Sequence, residues 1–176
     1  MTVCAVIRVP GQGAVLVSDG RYSGPESGEI FSDTFKKWCV FGSVAAVFAG
    51  HVGGLMLDLE EKPPRNWAEL RERIKDLEAS DQDREYDVLL YDRTKDRIIH
   101  SGNAGDAALP GNHGVIGCGG SIALGVLDAA KAPTTLEAAA KLAFKAVKIA
   151  CKRNVFCGGR IRTVIVRGRK GSAEVR

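Results

Sequence analysis

Apolar residues recur along this chain at two spacings, and the switches between them mark out its elements. Thr2–Val9 and Ala14–Ser18 are β-rich runs on either side of Pro10-Gly11-Gln12-Gly13, which reads as a turn between paired strands. Gly20–Ser32 is polar and glycine-rich and reads as a loop. Thr34–Phe41 and Ser43–Ala49 then form a second strand pair around Gly42. The spacing changes at Gly50: Val52, Leu55, Met56 and Leu59 share one face of a helix that runs to about Glu61, where Pro63-Pro64 stops it. Asn66 is placed to cap a second amphipathic helix, Trp67–Ala79, with Leu70, Ile74 and Leu77 on its inner face.

Beyond it, Tyr86–Tyr91 and Arg97–Ser101 read as a hairpin, and a Gly/Asn/Ala-rich loop leads to a short strand at 114–117. Gly119-Gly120 opens a helix through Ala130, and Pro133-Thr134-Thr135 starts a last helix ending near Asn154. Its inner face would be Leu136, Ala140, Ala143, Phe144, Val147 and Ala150. A final strand, Arg160–Arg167, precedes a charged tail. Antiparallel hairpins with helices in pairs predict an α+β fold of stacked sheets covered by helices on both outer faces, not a doubly wound sheet. Neither a repeat nor an internal boundary breaks the pattern, so 1–176 reads as one domain. At this length folding buries roughly 70% of the unfolded surface, without need of a disulfide or metal.

One stretch tests this reading. Trp38–Leu57 is uncharged for 20 residues and carries a Gly50/Gly54 small-residue spacing, as a membrane helix would. It also holds four glycines and His51, and its first half is β-branched and aromatic, so two buried strands running into a helix fit it better and no membrane is expected.

Composition adds that this is a globular chain, 45% hydrophobic and 26% charged, with 21 glycines marking turns and close approaches. The cysteines (Cys4, Cys39, Cys118, Cys151, Cys157) are odd in number, lack a CxxC pair and follow no apolar leader, so reduced thiols in a cytoplasmic setting are expected. The net charge of +4 hides an asymmetry: residues 141–176 carry 11 Lys and Arg against Glu174 alone. Lys141, Lys145, Lys148 and Lys152 form one helical stripe, readable as a solvated face, a contact with an acidic face of a neighbouring subunit, or a nucleic-acid patch. Without stacking aromatics the last is the weakest, and no nucleic acid is expected.

The chain contains no phosphate-binding G-x-x-x-x-G-K-[ST], no H-E-x-x-H and no G-x-S-x-G. His51, His100 and His113 are too scattered for a metal site, and neither metal nor cofactor is expected. A Cys118 thiol at a helix start, with His100 or His113 as base, would make a cysteine hydrolase. Thr2 is the more telling residue. Removing Met1 would leave it a free α-amine, with a pKa of about 7.7–8.0, able to take the proton of its own hydroxyl. Nucleophile and base would then reside in one residue. Asp19 in VLVSDGRYS and Lys37 in SDTFKKWCVF could support it: a buried Lys favours the alkoxide, and a carboxylate keeps that Lys charged.

The Met-Thr start, the SDGR turn, the KK pair, the VFAG segment opening a helix, the GCGG turn and the CGGRIRTVIV ending stand in an order that resembles the proteasome β-subunit superfamily of N-terminal nucleophile hydrolases. Its bacterial HslV-type and Anbu-type subunits look most similar. The resemblance spans nearly the whole chain. It implies a four-layer α-β-β-α sandwich of two stacked antiparallel sheets, and a self-assembling threonine endopeptidase. Thr2 would be the nucleophile, Lys37 (rather than Lys36) the catalytic lysine and Asp19 its aspartate. Ala49 and Gly50 would bind the oxyanion and substrate, with Ser23 and Val47 bordering the specificity pocket.

It further implies peptide or unfolded-protein substrates, a ring or helical homo-oligomer, and a separate ATP-dependent unfoldase where one is used. Three positions depart from the family: Cys118, Asn154 and Cys157 stand where it usually has Ser, Asp and Ser in supporting roles. Thiols are poorer donors than hydroxyls, which weakens the relay around the α-amine. The alternatives are a catalytically decayed scaffold of the same fold and a small-amide hydrolase of the wider class.

Overall fold

A computed structural model describes residues 2–24, 29–80, 86–102, 105–168 and 173–176, with only the backbone of Leu77, Glu78 and Ser80. Twelve strands and four helices are found among them: β1 (Cys4–Val9), β2 (Gly13–Ser18), β3 (Tyr22–Ser23), β4 (Ile30–Ser32), β5 (Trp38–Phe41), β6 (Val44–Gly50), α1 (Val52–Glu61), α2 (Trp67–Ser80), β7 (Tyr86–Asp92), β8 (Arg97–Gly102), β9 (Gly105–Ala108), β10 (His113–Ile116), α3 (Gly120–Asp128), α4 (Leu136–Arg153), β11 (Arg162–Arg167) and β12 (Ala173–Val175). The fold is α+β. One five-stranded sheet runs β10-β1-β2-β11-β12, a second runs β5-β6-β7-β8-β9, and β3-β4 form a small pair; all pairings are antiparallel.

The inner strands β1, β2, β6, β7 and β11 are apolar on both faces because both faces are covered. On β1, Ala5, Ile7 and Val9 pack against Ala123 and Leu127 of α3 and Ala139, Ala143 and Val147 of α4. Its alternate residues Cys4 and Val6, with Leu16 and Val164, meet Ala45, Val47, Leu89 and Tyr91 of the second sheet. The far face of that sheet, with Phe48, Val88 and Leu90, packs on Leu55, Met56 and Leu59 of α1 and Leu70 and Ile74 of α2. Alanine serves α4 twice, as the best helix former and as a side chain short enough to let the helix lie close on β1 and β2. Asn66 caps α2 as expected, with Glu69 N donating to its Oδ1 at 3.0 Å, and within the Pro133-Thr134-Thr135 start of α4 the cap is Thr135, whose Oγ1 accepts from Ala138 N at 3.1 Å.

The apolar stretch 38–57 is divided between β5, β6 and α1, and no helix among the described residues is long and apolar enough to cross a membrane. Several details differ from expectation. The 20–32 loop contains the β3-β4 pair, β9 and β12 are too short and exposed to show in the sequence, and β5 starts at Trp38, leaving Lys37 just before it. Phe144 is not an inner residue but 39% exposed. The buried face centres on Ala139, Ala143, Ala146 and Ala150, and Phe144 lies one residue, about 100°, to its side. The expected inner position of Leu77 lies outside the described side chains.

Candidate active site

The SDGR turn leaves the end of β2 and is held by contacts that explain its residues. Asp19 continues the β1-β2 pairing: its N–H donates to Val3 O at 3.1 Å, and its Oδ1 accepts from Val3 N at 3.2 Å. Gly20 is required by close approach, since a Cβ there would lie 2.6 Å from Asp33 O and 2.7 Å from Arg160 O. Arg21 pairs with Asp33 at 2.9 Å and donates to Val155 O, tying the turn to the chain beyond α4.

Asp19 and Lys37 are each 0% exposed. Lys37 Nζ donates to Asp19 Oδ1 at 2.7 Å, and Gly158 N donates to Oδ2 at 2.9 Å. Asp19 therefore holds a lysine, the amide next to Thr2 and the segment after α4 at one point. Lys37 is fixed in turn by its backbone, whose carbonyl accepts from Phe48 N at 3.0 Å and extends the β5-β6 ladder.

Thr2 is buried, at 2% exposure, between this pair and the turn after β10. Its carbonyl accepts from Gly119 N at 3.3 Å and from the Cys118 thiol at 3.4 Å. Gly117 makes that approach possible: its φ is +85°, and a Cβ there would sit 2.3 Å from Thr2 O. Met1, whose removal the threonine-nucleophile reading requires, lies outside the described residues.

The three supporting positions also converge here. Asn154 caps the end of α4; its Nδ2 donates to Cys118 O at 2.9 Å and its Oδ1 accepts from Phe156 N. Cys157 is buried, with its Sγ 3.5 Å from that of Cys118. Donation from Cys157 pulls the Cys118 thiol well below the ordinary range, while the same hydrogen bond and burial push Cys157 up. Cys118 ionises first because it is the exposed member of the pair.

A cleft of about 500 Å³ is lined by Ala49, Gly50, Asp87, His100 and Gly102 of the second sheet and by Gly117, which packs against the Thr2 carbonyl; Thr2, Asp19 and Lys37 are not in its lining. Gly50 is exposed at the end of β6, with φ +96°, where the strand gives way to α1. Val47 is elsewhere: it is buried in the core between the sheets and does not line this cleft. Ser23 is buried on β3, outside this lining, and its Oγ has no hydrogen-bond partner among the described residues.

Asp87 is not singled out by the sequence, and His100, considered there only as a base for Cys118, hydrogen-bonds to Asp87 instead. A signal existed: both occupy strand positions where alternation with Leu89 and Ile98 calls for an apolar residue. The other histidines lie apart, His51 exposed at the start of α1 and His113 bonded to Asp128 at 2.8 Å. All four lysines of the α4 stripe are exposed, Lys148 Nζ lying 5.9 Å from the Phe144 ring centroid. No protein-family model matches this chain, and no curated protein matches it.

Proposed function

We propose that this chain is a threonine-type endopeptidase of the proteasome β-subunit kind, working through Thr2 after removal of Met1. The observation that carries the reading is the buried Lys37–Asp19 ion pair hydrogen-bonded to the amide of Val3, the residue next to Thr2, whose carbonyl lies against Gly117 in the wall of a cleft. The order of the apolar clusters supports the four-layer α-β-β-α sandwich: helices on the first sheet, sheet on sheet, helices on the second.

In this mechanism Thr2 Oγ1 attacks the scissile carbonyl and the free α-amine takes its proton. Lys37, kept charged by Asp19, stabilises the developing oxygen anion on Thr2. Backbone N–H groups near Gly50 take the negative charge of the tetrahedral intermediate. The amine returns its proton to the leaving nitrogen, and water hydrolyses the acyl ester. The chain assembles into a ring or helical homo-oligomer that shelters these sites and receives unfolded protein, from a separate ATP-dependent unfoldase where one is present.

The rival reading, a decayed scaffold of the same fold, draws on Cys118, Asn154 and Cys157, which leave the site without the hydroxyls and carboxylate of the family pattern. Intact mass of the purified protein and turnover of a peptide library by the wild type and Thr2→Ala separate the two. The peptidase reading expects loss of Met1, turnover, and its abolition in Thr2→Ala. Retained Met1, or equal turnover by the variant, refutes it.

A further inference from the structure

Cys118, whose thiol contacts the Thr2 carbonyl, and Cys157, whose sulfur contacts that of Cys118, have no part in the mechanism just given. Cys118 is exposed in the turn before α3, and Cys157 is buried after α4. Asn154 holds both, donating to the Cys118 carbonyl at 2.9 Å and accepting from Cys157 N at 3.1 Å. Their sulfurs are 3.5 Å apart, in contact but unbonded. The exposed thiol is poised to react and the buried one to resolve, as in a peroxide-responsive pair.

We propose that Cys118 and Cys157 form a dithiol site which a peroxide oxidises to an intrachain disulfide, slowing the Thr2 site. The Cys118 thiolate attacks one oxygen of hydrogen peroxide and breaks the O–O bond. The departing hydroxide takes a proton and leaves as water, and Cys118 becomes a sulfenic acid. Cys157 attacks that sulfur; the hydroxide it expels combines with the Cys157 proton as a second water. Two thiols lose two electrons to the peroxide, and one S–S bond forms.

The lowered ionisation of Cys118 supports this order, because the thiolate is the attacking species. The other thiols with resolved shifts, Cys4, Cys39 and Cys151, are all pushed up, by burial first.

Closing the sulfurs from 3.5 Å to about 2.05 Å draws the 117–119 turn toward 157–158. It removes the Cys118 thiol from the Thr2 carbonyl, and it moves the neighbour of Gly158, whose N–H holds Asp19. Both sides of Thr2 are affected. The slowing rests on the proposed peptidase function; the dithiol chemistry does not.

The test treats the full-length protein with hydrogen peroxide, blocks remaining thiols with iodoacetamide in denaturant, and maps peptides without reduction. The expected product is a Cys118–Cys157 linked peptide lighter by two hydrogen atoms, reversed by dithiothreitol and formed equally in Cys151→Ser. In Cys157→Ser the bridge is absent and dimedone traps the Cys118 sulfenic acid. Peptide turnover should fall about fivefold or more on oxidation and return on reduction, the lower end of coupling between two sites. Both thiols remaining alkylatable, or a bridge to Cys151 or to another chain, overturns the dithiol site. A bridge with unchanged turnover overturns the slowing. A reduced protein without any turnover refutes the peptidase instead, since the bridge is read by mass alone.

Discussion

Replacing Asp19 with Asn removes one charge and almost no volume, and the structure sets the size of the effect. Oδ1 accepts from Lys37 Nζ at 2.7 Å and Val3 N at 3.2 Å, while Oδ2 accepts from Gly158 N at 2.9 Å. An Asn amide can serve one side only. With its NH₂ at the Oδ2 position it faces the Gly158 N–H, donor to donor; with its NH₂ at Oδ1 it faces the ammonium. Either way Lys37 stays buried and loses the carboxylate. Breaking a buried pair in this way costs about 3–5 kcal/mol, against a total stability of about 5–15 kcal/mol.

At about 2–4 °C per kcal/mol for a chain of this size, Asp19→Asn should melt roughly 6–20 °C lower, read by circular dichroism with urea unfolding as a check. The second half of the experiment isolates the cause. Adding Lys37→Met to Asp19→Asn removes the buried cation that has lost its carboxylate, so the double variant should be about 2 kcal/mol more stable than Asp19→Asn alone. The reasoning fails if Asp19→Asn costs less than about 1 kcal/mol, or if Lys37→Met lowers its stability further.

Gly117→Ala should destabilise by about 2 kcal/mol or more in urea melts, because a Cβ meets Thr2 O at 2.3 Å and φ is positive. Leu55→Ala, at a fully buried site on α1, should cost about 2–5 kcal/mol, whereas Leu57→Ala, 69% exposed two residues on, should stay within about 0.5 kcal/mol by the same assay. Iodoacetamide labelling of Cys118 should follow its thiolate. Donation from Cys157 outweighs burial and the Asp19 carboxylate and lowers its pKa to about 6. The rate should therefore be near its plateau at pH 7 and fall as the pH drops through about 6. A rate still climbing steeply above pH 8, as for an ordinary thiol with pKa about 8.5, would refute that assignment.

The amphipathic elements are legible in the sequence itself. Val52, Leu55, Met56 and Leu59 are the buried residues of α1, the cap at Asn66 falls where its side chain predicts, and α4 starts behind Pro133-Thr134-Thr135. These features are local: a helix face and its cap are decided by residues within a turn or two of one another. The candidate site was legible only in part, as Thr2, Asp19, Lys37, Cys118, Asn154 and Cys157, and there through a motif order resembling a known family rather than through periodicity.

What tertiary structure alone decided has the opposite character. Sequence cannot state that Cys118 and Cys157, 39 residues apart, bring their sulfurs to 3.5 Å, because two loops meet there only once α3 and α4 have packed on the first sheet. It cannot place Asp87 beside His100 in the cleft, or set Val47 in the core between sheets, because each follows from strand register. Nor does it reveal β9 and β12, whose short, mostly exposed strands are defined by backbone pairing to a neighbour and not by their own side chains. The sequence determined which segments are amphipathic and which residues can do chemistry. Long-range backbone pairing and burial decided which of those residues meet.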